Sequence, residues 1–201
     1  MTDEGLDAGA RLLHAAWRDG GRIEHLSAET RPSTRSDGYR LQARLVALTG
    51  DRPIGWKIAA TSQAGQKHIG VSGPLAGRIF APCVIAQGQT VSLKGVRMLV
   101  AEPEMAFVLG QDLPPRAQAY SQAEVMAAVS ALHVAIEVPN SRFEDFVSVG
   151  EASLIADFAC ACDVVMGPQA QVDVQRWDFA GHAVSVAIDG LTVAQIGRAH
   201  V

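Results

Sequence analysis

Apolar side chains recur at helical spacing twice within the first fifty residues, and the period then shortens. Leu6, Ala10, Leu13 and Trp17 fall on one stripe, which predicts an amphipathic helix over Gly5–Arg18. Tyr39, Leu41, Leu45 and Val46 continue to Leu48 as a second helix, capped by Ser36-Asp37 and stopped by Gly50. Beyond Gly50 the apolar runs are short and bounded by turn residues, as strands are. A capping box at Ser121-Gln122-Ala123-Glu124 opens a helix through Val125, Met126 and Val129 to about Leu132, and a short buried strand, His133–Val138, follows. Val184 to Gln195 reads as a hairpin around Asp189-Gly190. The expectation is one α+β domain over residues 1–195, helical to residue 50 and β-rich from 51 onward.

Two acids interrupt this pattern. In Arg97–Gly110 an apolar, strand-like run carries Glu102 and Glu104 one residue apart. Side chains alternate along a strand, so both point the same way, about 6.6 Å apart along that face. Two like charges at about 6 Å repel by roughly 3 kcal/mol for an effective dielectric of about 20. A cation between them relieves this; a solvated strand face is the alternative. Pro103 lacks an N–H and suits an edge strand or a bulge. Glu137 is a third acid, alone in the run His133–Val138, and a buried carboxylate needs neutralising, pairing or a metal. All-oxygen ligation suits magnesium or manganese better than zinc or copper. No spacing forces Glu137 to meet the first pair.

Composition removes some classes of function. The 201 residues are 48% hydrophobic, enough for a substantial core, and the net charge of -4 offers nothing to nucleic acid or an anionic membrane. Cys83, Cys160 and Cys162 have no zinc-type pairing, so reduced thiols in a cytoplasmic protein are expected, with Cys160 and Cys162 on one buried face of a strand. No apolar run reaches the roughly 18 residues of a spanning helix, and the acidic N-terminus shows no leader pattern. Gly65-Gln66-Lys67-His68 lacks phosphate-loop spacing and is assigned to turns. His14, His25, His68, His133 and His182 do not cluster along the chain.

Five segments in order carry a family resemblance: Gly55-Trp56-Lys57-Ile58, Gly70-Val71 through Gly77, Glu102-Pro103-Glu104, Glu137-Val138-Pro139-Asn140-Ser141-Arg142-Phe143, and Ala156-Asp157-Phe158-Ala159. From about Arg31 to about Gly190 the chain resembles the 2-keto-4-pentenoate hydratase and 4-oxalocrotonate decarboxylase branch of the fumarylacetoacetate hydrolase superfamily. The resemblance implies a mixed β-roll core with flanking helices. It also implies one Mg2+ or Mn2+ held by Glu102, Glu104 and Glu137, and a substrate that chelates it through a carboxylate and a keto oxygen. Glu137, where hydrolases of the superfamily usually carry Asp, points to hydratase or decarboxylase. Lys57, one of three lysines, matches the family's active-site lysine and would hold the substrate carboxylate or handle a proton. Cys160 falls where relatives often place a small polar residue against substrate.

The implied activity is addition of water to a 2-hydroxy-2,4-dienoate, in aromatic-compound catabolism, by a homo-oligomer. Decarboxylation of a 2-oxo-3-enedioate is the alternative, which a cation placed for a second carboxylate would favour. A metal-binding, non-catalytic subunit paired with an active paralogue is another. Pro82 and Phe158, where relatives carry polar residues, keep that second alternative open. Ile196 to Val201 translates the start of a common sequencing adapter, which predicts a non-native tail and loss of the family's closing strands. A chain so shortened is expected to be inactive.

Overall fold

The computed structural model describes residues 1–196, so the segment 197–201, and with it the tail expectation, lies outside the described residues. The chain packs as two compact units. One comprises Met1–Ile85, Thr90–Ala101 and Val138–Asp163, and the other Ala86–Gln89, Glu102–Glu137 and the chain from Val164 onward.

The first unit is built on helices. α1 (Asp3–Asp19) is capped by Thr2, whose Oγ1 accepts from the Gly5 N–H at 3.1 Å, and it buries Leu6, Ala10 and Leu13. α2 (Arg35–Thr49) starts two residues earlier than Ser36-Asp37 suggest, because Thr34 supplies the cap and the Asp37 N–H bonds to its hydroxyl. Arg18 and Asp37 complement the dipoles of these two helices. A two-stranded antiparallel sheet follows, β1 (Pro53–Ala59) with β2 (Leu75–Phe80), in which Lys57 faces Gly77. Between them the glycine-containing segment assigned to turns forms a short helix, α3 (Gln63–Ile69): Ser62 caps its start, and Gly70 ends it in the left-handed region. α5 (Glu151–Ala156) packs on α2 so closely that a Cβ on Gly38 would meet the Ala152 carbonyl at 2.6 Å. Gln42 ties the layers, donating from Nε2 to the carbonyls of Ala76 and Ile155. Trp17, Phe80 and Phe158 stack edge to face in the core beside Leu6, Leu13, Leu41 and Leu45.

The strand expected to bury Cys160 and Cys162 is absent. Phe158, Ala159 and Cys160 instead have φ of 54°, 49° and 65°, one turn of left-handed backbone without a glycine. Such a turn costs about 1–2 kcal/mol per residue. Its neighbours hold it. The Asn140 N–H donates to the Cys160 carbonyl at 3.0 Å, and the Phe158 carbonyl lies against Gly77, where a Cβ would sit 1.6 Å from its oxygen. Glycine is therefore required at 77 by close approach rather than by dihedral angle.

The remaining strands are β3 (Val84–Ala86), β4 (Glu102–Leu109), β5 (Val129–Val138), β6 (Asp163–Gln169), β7 (Val184–Ile188) and β8 (Leu191–Ile196). Four form a sheet in the order β3-β6-β5-β4, which leaves β4 at the edge, as Pro103 requires. β4 begins only at Glu102; the preceding Arg97–Ala101 is irregular, and Leu99 has a positive φ. α4 (Gln122–Ala128) carries the expected capping box but stops at Ala128, short of Leu132. Val129 turns extended there and begins β5, because its backbone from that residue onward is taken up by the ladder to β4. β7 and β8 form the hairpin expected around Asp189-Gly190, both of positive φ, as a primed turn requires.

Candidate metal centre and the Lys57 environment

The acids converge through strand register. β4 and β5 run antiparallel with Glu102 directly opposite Glu137 and Glu104 opposite Ala135. Directly paired residues share a face, so all three carboxylates stand on the same side of the ribbon, with Ala135 leaving room between them. One oxygen from each lies within 4.8 Å of the others. Glu137 is only 2% exposed, Glu102 is half-buried and Glu104 reaches solvent. Three hard anionic oxygens in a half-buried cluster, with one open side, form a donor set suited to a hard divalent cation. The opposite face of the ribbon is apolar and partly bare, with Val134 60% exposed and Ile136 42%.

Lys57 and Cys160 lie together in the other unit. Lys57 is the buried member of β1, whose flanking Trp56 and Ile58 are exposed on the other face. The left-handed turn brings Cys160 near enough for the Lys57 charge to favour its thiolate, but burial dominates and pushes the thiol up to about 12. Cys160 is therefore a neutral, buried thiol at physiological pH.

Beneath the turn is an ionic pair that the sequence did not single out. Asp157 is fully buried; its carboxylate accepts from the Ser141 hydroxyl at 2.8 Å, the Arg142 N–H at 3.0 Å and the Arg142 Nε, while Arg142 Nη2 donates to the Asp157 carbonyl at 2.7 Å. Burial pushes the Asp157 carboxyl up, against the opposing pull of Arg142 and these hydrogen bonds. The guanidinium also lies over the Trp17 ring, 4.4 Å from its centroid. A lone acid in the apolar run Leu154–Cys160 was the available signal for this pair.

Comparison with known proteins agrees with this architecture. The structure superposes on 4-oxalocrotonate decarboxylase from Pseudomonas putida G7, solved with magnesium and adipate, with a TM-score of 0.83 at 22% identity, over 97% of this chain and 74% of that one. The fold is thus the α+β fold of that decarboxylase. In sequence the chain is 30% identical over 164 residues to 2-keto-4-pentenoate hydratase 1 of Dechloromonas aromatica, covering 80% of this chain and 61% of the relative. It is 33% identical over 141 residues to 2-keto-4-pentenoate hydratase of Burkholderia vietnamiensis, covering 70% and 52%. No family model matches the chain. In sequence the chain is thus similar to 2-keto-4-pentenoate hydratases, and it spans about three fifths of the length of the hydratases it matches. Among the described residues no helix is long and apolar enough to cross a membrane.

Proposed function

We propose that Glu102, Glu104 and Glu137 hold one Mg2+ or Mn2+, and that the intact protein adds water to a 2-hydroxy-2,4-dienoate to give a 4-hydroxy-2-oxo acid. The observation that carries this is the convergence of three carboxylate oxygens within 4.8 Å on one face of the β4–β5 ribbon. When bound, the ion supplies Lewis-acid polarisation of a 2-oxo acid. The hydratase names of the sequence relatives support the choice of reaction.

The chain's own residues have distinct parts in this proposal. Glu137, anchored in the ladder and buried, fixes the position of the site, whereas exposed Glu104 lies at its open side. Lys57, held by the β1–β2 pairing, binds the substrate carboxylate as an ammonium, a role that requires no pKa shift. Cys160, as a neutral thiol, offers a small contact surface to substrate and no nucleophile. The apolar face carrying Val134 and Ile136 offers a packing surface, in a cytoplasmic homo-oligomer or a pair with a paralogous subunit.

Loss of the dienol's ultraviolet absorbance on supply of 2-hydroxypenta-2,4-dienoate tests the activity in the intact protein. Turnover is expected with Mg2+ or Mn2+ and not in EDTA. Lys57→Met is expected to lower kcat/KM by on the order of 10²-fold or more while metal affinity is retained. Metal-independent turnover, or a Lys57→Met variant within a fewfold of wild type, overturns the corresponding assignment.

A further inference from the structure

Lys57 projects from a covered face of the β1–β2 sheet. It pairs directly with Gly77, and Ala59 pairs with Leu75, so these four positions share one face. The turn Phe158–Cys160 lies on that face: a Cβ on Gly77 would sit 1.6 Å from the Phe158 oxygen, and Ala59 and Leu75 pack with Ala159 and Cys160. Lys57 is accordingly 9% exposed, against 47% for Trp56 and 48% for Ile58 on the other face. A lysine ammonium rides on a flexible four-carbon stem, so its position is defined only where packing confines that stem. Here the confining element is the turn.

The turn in turn depends on Asp157. Its three residues all have positive φ and none is glycine, a conformation that persists only under outside restraint. Asp157 anchors it from both ends of its own side chain and backbone. The carboxylate is held by the Ser141 hydroxyl, the Arg142 N–H and Arg142 Nε, while the Asp157 carbonyl accepts from Arg142 Nη2 at 2.7 Å and from the Cys160 N–H at 3.1 Å. A buried ion pair is often no more stabilising than apolar residues of equal volume, so what this pair adds is a fixed geometry.

We propose that Asp157 is a positioning residue for Lys57: by fixing the left-handed turn on Gly77 it confines the Lys57 stem and sets the place at which the ammonium meets the substrate carboxylate. This rests on the assignment of Lys57 to that carboxylate. Asp157 itself touches no substrate; it acts through the turn, and preorganising the ammonium spares the reaction the cost of ordering it.

Lysine acetylation of the intact protein in EDTA, followed by mass spectrometry, tests the placement, with exposed Lys67 and Lys94 as internal standards. Asp157→Asn combined with Arg142→Met removes both charges and the anchor. Lys57 labelling should then rise about fivefold or more, with Lys67 and Lys94 unchanged. Ser141→Ala, which removes one bond to Asp157 and keeps the ion pair, should give a smaller rise, and decides the matter if the paired variant does not fold. On 2-hydroxypenta-2,4-dienoate with Mg2+, the paired variant should lose on the order of 10²-fold in kcat/KM even where its melting temperature is near that of wild type. The same two substitutions made in Lys57→Met should change activity less than about twofold, because the residue they position is gone. Lys57 labelling unchanged from wild type, or a further full loss of activity on top of Lys57→Met, overturns the positioning role. Absence of turnover in the wild type, or a Lys57→Met variant as active as wild type, refutes the function assigned to Lys57 instead, and the labelling still decides whether Asp157 holds it.

Discussion

Replacing Glu104 by Gln should lower metal affinity and leave the metal-free fold largely intact. The reaching oxygens of Glu102, Glu104 and Glu137 lie within 4.8 Å of one another. At that separation a pair of unit charges repels by about 3.5 kcal/mol for an effective dielectric of about 20, and by about 0.9 kcal/mol in bulk water. A cation held among the carboxylates offsets that repulsion, and exposed Glu104 is the ligand whose charge can be removed with least effect on the fold. The Tm of the metal-free protein should therefore change little on this substitution.

Metal separates the two proteins. An ion at a hundred times its Kd stabilises the wild type by about 2.7 kcal/mol, roughly 5–10 °C. The Gln variant, with one anionic ligand fewer, should bind at least about tenfold more weakly and show a correspondingly smaller rise. Differential scanning calorimetry in EDTA and in excess Mg2+ or Mn2+, with a calorimetric titration for affinity, measures both quantities. A variant merely damaged in folding lowers the metal-free Tm. Equal metal affinity in the two proteins refutes the three-carboxylate centre.

Two further predictions concern the framework. Asp157→Asn leaves the buried Arg142 guanidinium without its carboxylate, so stability should fall by about 3–5 kcal/mol, read from urea unfolding; adding Arg142→Met should restore a large part, because both charges are then gone. The Arg116 guanidinium, with the N–H and hydroxyl of Ser121, pushes Glu124 down to about 2 from the ordinary 4.5. Its contribution to α4 is therefore present above about pH 4.5 and lost as pH falls toward about 2; Glu124→Gln should flatten the acid limb of a Tm-against-pH curve by lowering the neutral region slightly and leaving the acid end nearly unchanged.

What could be read from sequence follows from the range of the forces involved. The two N-terminal helices were legible because a 3.6-residue stripe and its cap are local signals, and Leu6, Ala10 and Leu13 are buried as their spacing requires. The edge position of β4 was legible because Pro103 cannot complete an interior ladder. The end of α4 was not. Val125, Met126, Val129 and Leu132 fit a helix, and only pairing with β4, a contact distant in sequence, draws Val129 onward into a strand. The left-handed turn at Phe158–Cys160 was equally hidden, since none of its residues favours positive φ and its restraint comes from Gly77, Asn140 and the Asp157–Arg142 pair.

The glutamate cluster shows how a site of local motifs can still depend on one nonlocal fact. Glu102 and Glu104 share a face by alternation alone, but Glu137 joins them only in the observed register. A slip of one residue would place Ile136 opposite Glu102 and turn Glu137 to the apolar face, so the site and the hydrophobic pattern fail together. The far end of the ribbon restrains that register: the pairing shifts between Val108 and Leu109, and the Gly110 N–H bonds to the Ala128 carbonyl at 2.8 Å. At Gly110 a Cβ would meet the Ser130 side chain at 2.8 Å, so even a small side chain there must push on the first turns of the ladder. The position of Glu137 is thus held from the opposite end of β5, and metal affinity should be sensitive to residues that touch no ligand.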